Sequence, residues 1–118
     1  MTEKTIMISG KPVKLKSSAA VPRRYRLRFG RDIFKDLVVL QKDFEKNQGS
    51  DISEMELMSL EIFENIAYIM AWHADPDIPD TIDEWLEQFE IFSIYEILPE
   101  ILELWGQNTK TDVVPKKK

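Results

Sequence analysis

Three observations place this chain in the mainly α class, as a compact multi-helix domain of about five helices behind a short N-terminal β-hairpin. A capping signature recurs: Ser53 with Glu56, Thr81 with Glu84 and Ser93 with Glu96 each fit S/T-x-x-E just ahead of an apolar-periodic run. In that motif the hydroxyl and the carboxylate satisfy two backbone donors that a helix start leaves orphaned. Between residues 32 and 46, Ile33, Leu37, Leu40 and Phe44 are spaced by four, three and four, which is one face of a helix. Near the N-terminus, Ile6, Ile8, Val13 and Leu15 alternate with polar neighbours at period two around Gly10, Lys11 and Pro12.

Taken in order, residues 5–16 predict two short strands and a reversal at Gly10, Lys11 and Pro12. A lone hairpin is barely stable, so it must lie on a helical core or pair with another copy. Residues 17–22 open a helix in which Pro22 is tolerated, because a first turn does not need its missing donor. Gly30 ends or bends that helix. The next runs from Asp32 to Lys46, with an acid at its start and lysines near its end, as the helix dipole favours. Asn47, Gln48, Gly49 and Ser50 stop it. Helices follow near 53–73, 82–89 and 94–105, separated by a loop with two prolines and a short break near Phe92. Pro99 kinks the last helix or begins a new one after Ile97. Residues 107–118 lack periodicity and read as a flexible tail, leaving 1–106 as a single domain.

With 118 residues, a hydrophobic share of 43% and a charged share of 31%, the chain is too apolar for disorder. It can bury roughly two thirds of its unfolded surface. Without cysteine there is no disulfide, thiolate metal site or thiol nucleophile, which suits a reducing cytoplasm. No apolar run approaches the ~20 residues of a membrane span, and no secretory h-region is visible.

Charge is strongly partitioned. Residues 51–109 contain no Lys or Arg but fifteen Asp and Glu. The first 50 residues carry +7 and the remainder −12, giving the net −5. An all-acidic half cannot neutralise itself, so its cations come from the basic half, another copy, a client or salt. This points to a protein that binds.

Chemistry has little to build on, and no enzyme, cofactor or metal site is expected. His73 beside Asp75 could be a base, but no nucleophile motif accompanies it, and a structural or capping histidine is the plainer reading. Asp75, Asp77, Asp80 and Asp83 suggest a cation loop by composition only; Pro76 and Pro79 break the ligand spacing and no glycine provides the turn. Arg23, Arg24, Arg26, Arg28 and Arg31 with Tyr25 and Phe29 could track phosphates and stack bases, the basis of an alternative reading as a small nucleic-acid-binding regulator. The acidic half would repel a phosphate backbone. The favoured reading has Arg23, Arg24, Arg28 and Arg31 contacting acidic helices, within the chain or across a self-association interface.

Two helices carry more apolar surface than one face can hide. In 53–73, Met55, Met58, Ile62, Ile66 and Ile69 form a core face, while Leu57, Tyr68 and Trp72 lie on a second, mixed with Glu54, Glu61 and Glu64. In 94–105, Ile94, Ile97, Ile101 and Trp105 form one side and Tyr95, Leu98 and Leu102 another, with Glu96, Glu100 and Glu103 outside. Such helices are deeply buried or completed by a partner. The partner-binding set expected from this pattern is Leu57, Glu61, Glu64, Tyr68, Trp72, Tyr95, Leu98, Glu100, Leu102 and Glu103. Trp72, Trp85 and Trp105 default to core packing.

The stretch from Ile8 to Lys16, the block from Arg24 to Ile33, and Ala71-Trp72 followed by the acidic proline loop are similar to one known family. So are Thr81-Ile82-Asp83-Glu84-Trp85-Leu86 and Ile101-Leu102-Glu103-Leu104-Trp105. Together they span most of the chain, which resembles the tail assembly chaperones of long-tailed (siphovirus-type) phages and prophages of Gram-positive bacteria. The resemblance implies a helical, self-associating, non-enzymatic protein of the host bacterial cytoplasm, not retained in the mature virion. It would bind the tape measure protein, keep it soluble and help recruit tail tube subunits. It also implies a longer product made by programmed frameshifting, for which Lys116, Lys117 and Lys118 offer an adenine-rich slip site.

Overall fold

The computed structural model describes residues 2–46 and 55–113, with side chains described for 3–46 and 55–105. Strands β1 (Thr2–Ile8) and β2 (Lys11–Ser17) form an antiparallel hairpin. Five α-helices follow among the described residues: α1 (Ala20–Phe29), α2 (Ile33–Lys46), α3 (Leu57–Ala74), α4 (Ile82–Leu86) and α5 (Leu98–Val113), with a 3-10 turn at Tyr95–Ile97 before the last. The predicted fold class is the observed one. No described helix is long and apolar enough to cross a membrane.

The hairpin reverses one residue earlier than its prolyl-glycyl composition suggests. Ser9 (φ 54°) and Gly10 (φ 78°) occupy the two left-handed positions of a tight turn, and Ile8 pairs with Lys11. Pro12 therefore lies inside β2, opposite Met7. That is a pair that exchanges no ladder hydrogen bonds, so the missing N–H costs nothing. Ile6, Ile8 and Leu15 are buried, and β2 lies along α3, the helical support a bare hairpin needs.

Helix α3 is the hub, packing against β2, α1, α2 and α4. Ile62, Phe63 and every residue from 66 to 71 are buried, so it is covered around most of its circumference. Trp105 reaches it from α5, its indole N–H donating to Met70 Sδ at 3.3 Å. α1 ends at Gly30, whose φ of 69° is the left-handed conformation of a glycine stop, with its N–H returned to the Arg26 carbonyl. Pro22 sits in the first turn, as expected.

Among the described residues, the capping signature at Thr81 forms its hydroxyl bond. Thr81 Oγ1 accepts from the Glu84 amide at 3.1 Å, and α4 then closes into tightened turns after Leu86, short of the predicted 89. Ser53 lies outside the described residues, as do Asn47, Gln48, Gly49 and Ser50, but α3 begins at Leu57 with Glu56 as its cap residue, not as a capping carboxylate. The Glu56 amide is met by Asp43 Oδ2 of α2 at 3.0 Å, a tertiary contact at the helix start. Ser93 caps nothing: the Pro99 ring excludes a continuous helix from 94, leaving a 3-10 turn and a restart at Leu98 with Pro99 in the first turn. Helical backbone continues to Val113, because extending a formed helix adds a hydrogen bond per residue with no new nucleus.

A buried polar knot fastens α1 to α2. The Tyr25 hydroxyl donates to Asp36 Oδ2 at 2.6 Å, and Arg31 grips the same carboxylate through Nε (2.7 Å) and Nη2 (2.8 Å). Burial alone would raise the Asp36 carboxyl; the hydrogen bonds from Arg31 and Tyr25 and the guanidinium charge outweigh it and hold it below its ordinary value. Burial, then the bond to Asp36, pushes the Tyr25 phenol far up. Replacing Asp36 by Ala strands a buried phenol and should cost roughly 3 kcal/mol, while Tyr25→Phe should cost about 1.5 kcal/mol, both read by urea unfolding. Because the Asp36 carboxyl titrates lower when folded than its unfolded value of about 4, its stabilisation is complete above that value. It is lost as pH falls through the folded one, and Asp36→Asn should flatten that part of the stability profile.

Candidate functional site

The sequence-derived partner-binding residues divide sharply once folded. Tyr68 has no exposed surface, its hydroxyl donating to the Pro79 carbonyl at 2.5 Å and its ring packed edge-on to Trp85 at 5.6 Å. Leu98 and Leu102 are also core residues, buried with Ile97 and Ile101. These three therefore complete the monomer interior, a correction to their place on an outer stripe. Tyr95 is half-buried and donates to Glu64 Oε2 at 2.6 Å, tying the 3-10 turn to α3; burial, then the Glu64 carboxylate, push its phenol up to about 12. Glu100 pairs with Lys4 of β1 at 3.4 Å, with both side chains well hydrated. Glu103 is exposed on α5.

Only Leu57 and Glu61 come together at an open surface. Leu57, 84% exposed, and Glu61 lie on the first turns of α3 beside Met58, which the sequence had placed in the core and which instead faces outward. Here α3 meets the end of α1. Phe29, Arg31, Leu57, Met58, Glu61, Ile62 and Asn65 line a groove of about 480 Å³. Its floor is fixed by the Tyr25–Phe29 ring contact at 4.9 Å, and its one cation, Arg31, is committed to Asp36. The lining is mixed: Arg31, Glu61 and Asn65 stand among Phe29, Leu57, Met58 and Ile62. Such a groove can seat the apolar face of a helix. Met58 escaped detection because periodicity groups it with Ile62 and cannot tell that the end of α2 lies against the Glu56 and Ser59 side of that first turn, away from Met58.

Within the copy, Arg24 and Arg28 turn to aromatic rings, where the sequence pointed them to acidic helices of this chain or of a second copy. The Arg24 guanidinium lies 5.0 Å from the Trp72 ring centre, and Arg28 lies 5.0 Å from Tyr68 and 6.0 Å from Trp72. Arg28 also donates to the Asp80 carbonyl. Half-buried Trp72 is therefore roofed by two guanidinium groups, an arrangement favoured by ring quadrupoles. Only Arg31 finds a carboxylate, on the neighbouring α2, and Arg23 points to solvent.

His73 joins the end of α3 to the start of α1. Its Nε2 lies 2.9 Å from Ser18 Oγ, which already accepts from the Ala20 amide at 3.2 Å. The direction of the His73–Ser18 bond follows the imidazole tautomer, and either way it ties the two elements together. Burial, then the charges of Arg24 and Lys16, hold its pKa below the ordinary value. This is the structural role, and among the described residues no group of acidic, His or Cys side chains is placed to hold a metal ion.

The chain matches no family model, no curated protein and no solved structure. An NMR titration should give His73 a pKa under about 6.5. A neutral form preferred by the fold contributes stability above that value, which is lost as pH falls through the unfolded and then the folded pKa. His73→Gln should remove that dependence between about pH 5 and 7.

Proposed function

We propose that this protein is a tail assembly chaperone of a long-tailed phage or prophage of Gram-positive bacteria. It binds the tape measure protein, keeps its apolar helical stretches from aggregating and helps recruit tail tube subunits. It works in the host cytoplasm as a self-associating protein, leaves before the particle is finished, and has a frameshifted longer form. Support comes from the sequence resemblance along most of the chain and from a helical domain with an N-terminal hairpin. The observation that carries the reading is the groove at the start of α3. Leu57 and Met58 stand exposed over Phe29 and Ile62, with Glu61 at the rim, on an otherwise acidic helical surface. An apolar client helix gains burial there, while the surrounding carboxylates keep the complex dispersed. The alternative, a small nucleic-acid-binding regulator, would use the Arg23–Arg31 segment, in which Arg24, Arg28 and Arg31 are engaged with Trp72, Tyr68 and Asp36.

The test is co-expression with a tape measure protein, a long coiled-coil chain to be sought in the neighbouring genes. The wild-type chain should move the client into the soluble fraction and co-purify with it. Leu57→Asp with Met58→Asp should weaken that association at least about tenfold, or about 1.4 kcal/mol. Its thermal midpoint should stay at the wild-type value, since both side chains already face water. A wild-type chain that leaves the client insoluble and unbound removes the chaperone reading; an unaffected double variant removes the groove.

A further inference from the structure

Two surface patches on this chain are complementary to one another. The first is the outer face of α2. Phe34 and Val38, 58% and 53% exposed, and Val39 lie among the exposed Lys35, Lys42 and Lys46, while the opposite side carries Ile33, Asp36, Leu40 and Asp43 into the interior. None of the three lysines has an ion-pair partner among the described residues. The second is the segment joining α4 to the 3-10 turn. Ile91 and Phe92 stand 77% and 62% exposed between Glu87, Glu90 and Glu96, all exposed and likewise without ion-pair partners among the described residues. An apolar–basic stripe and an apolar–acidic knob thus sit on one molecule.

They do not satisfy each other within it. α2 packs on α1 and α3, whereas the knob is braced at the hairpin tip, where the Glu90 amide donates to Ser9 Oγ at 2.8 Å. That bond holds Ile91 and Phe92 outward at a fixed place.

We propose that the α2 stripe of one copy receives the Ile91–Phe92 knob of a second copy, in a head-to-tail contact. Phe92 and Ile91 cover Phe34, Val38 and Val39, and Glu87, Glu90 and Glu96 meet Lys35, Lys42 and Lys46. The occupant follows from charge: the stripe needs an acidic apolar partner, and the chain itself displays one, braced and unmatched. Unlike a two-fold contact, this one leaves a free stripe at one end and a free knob at the other, so it builds rings or open chains. The inference rests on the self-associating part of the chaperone reading and gives it surfaces, distinct from the client groove and from the arginines of α1.

Full-length protein measured by light scattering should exceed the single-chain mass of 13.9 kDa, increasingly so with concentration, and fall toward it as salt rises. Val38→Asp and Phe92→Asp, both at exposed positions, should each give a single-chain mass with an unchanged thermal midpoint. Mixed in equal amounts they should form a two-chain species and nothing larger, since only one intact stripe and one intact knob remain per pair. Lys35→Glu with Lys42→Glu, and separately Glu90→Lys with Glu96→Lys, should each abolish association, and mixing these two should restore it. A single-chain wild type at all concentrations overturns the interface, as does association that survives in either Asp variant or a mixture of the Asp variants that stays single-chain. The client co-expression assay reads the chaperone function separately.

Discussion

Helix α3 sets the terms for the rest of the molecule. Its run from Ile66 to Ala71 is buried without interruption, so no single partner layer can cover it. A helix apolar around its circumference must be wrapped. β2, α1, α2 and α4 lie against it, while Trp105 and Tyr95 reach it from the C-terminal part of the chain. The hairpin follows from the same demand, because two strands alone hide too little surface to persist. The polar ties sit where wrapping elements meet: Tyr25 with Asp36 between α1 and α2, Asp43 with the Glu56 amide between α2 and α3, and Tyr68 with the Pro79 carbonyl over the α4 approach. Each satisfies a group that burial would otherwise leave unpaired.

The partition of charge is used differently from what opposite signs suggest. The arginines of α1 turn toward aromatic rings more than toward carboxylates. Arg24 and Arg28 close over Trp72 and Tyr68, which lets a bulky aromatic face sit at the surface under a hydrated roof. Arg31, the exception, holds its carboxylate with both prongs. Among the described residues the lysines of α2 and the glutamates after α4 have no ion-pair partner, so the asymmetry appears there as opposed surfaces. Long-range attraction between such surfaces is screened by salt, whereas the Arg31–Asp36 pair, with its carboxylate buried, is protected from it.

Apart from Met7 and Leu27, the exposed large apolar side chains gather at three places. Leu57 and Met58 rim one groove, Phe34 and Val38 line another face, and Ile91 and Phe92 crown a braced turn. The surplus apolar surface inferred from composition is therefore real, but most of the aromatic part of it is internal. Trp85 and Tyr68 are buried against each other, and Phe89 packs on Trp85 from outside. What remains for partners is mostly aliphatic.

Much of this fold was legible in the residues. Period two located the hairpin, spacing of three and four located the buried face of α2, Gly30 and Pro22 marked the limits of α1, and Thr81 with Glu84 marked the start of α4. These are local facts, decided by steric limits and by donors within a few residues. The site was less legible. Leu57 and Glu61 stood out, yet Tyr68, Leu98 and Leu102 belong to the interior, and Met58, Phe34, Ile91 and Phe92 carry the exposed surface. Periodicity says that a helix has a second apolar stripe; it cannot say whether another element of the same chain will cover it. That was decided only in three dimensions, by which side of α3 the end of α2 covers, where Pro99 restarts the last helix and which rings the arginines reach. Local chemistry fixes each element alone, whereas burial belongs to pairs of elements that sequence distance does not relate.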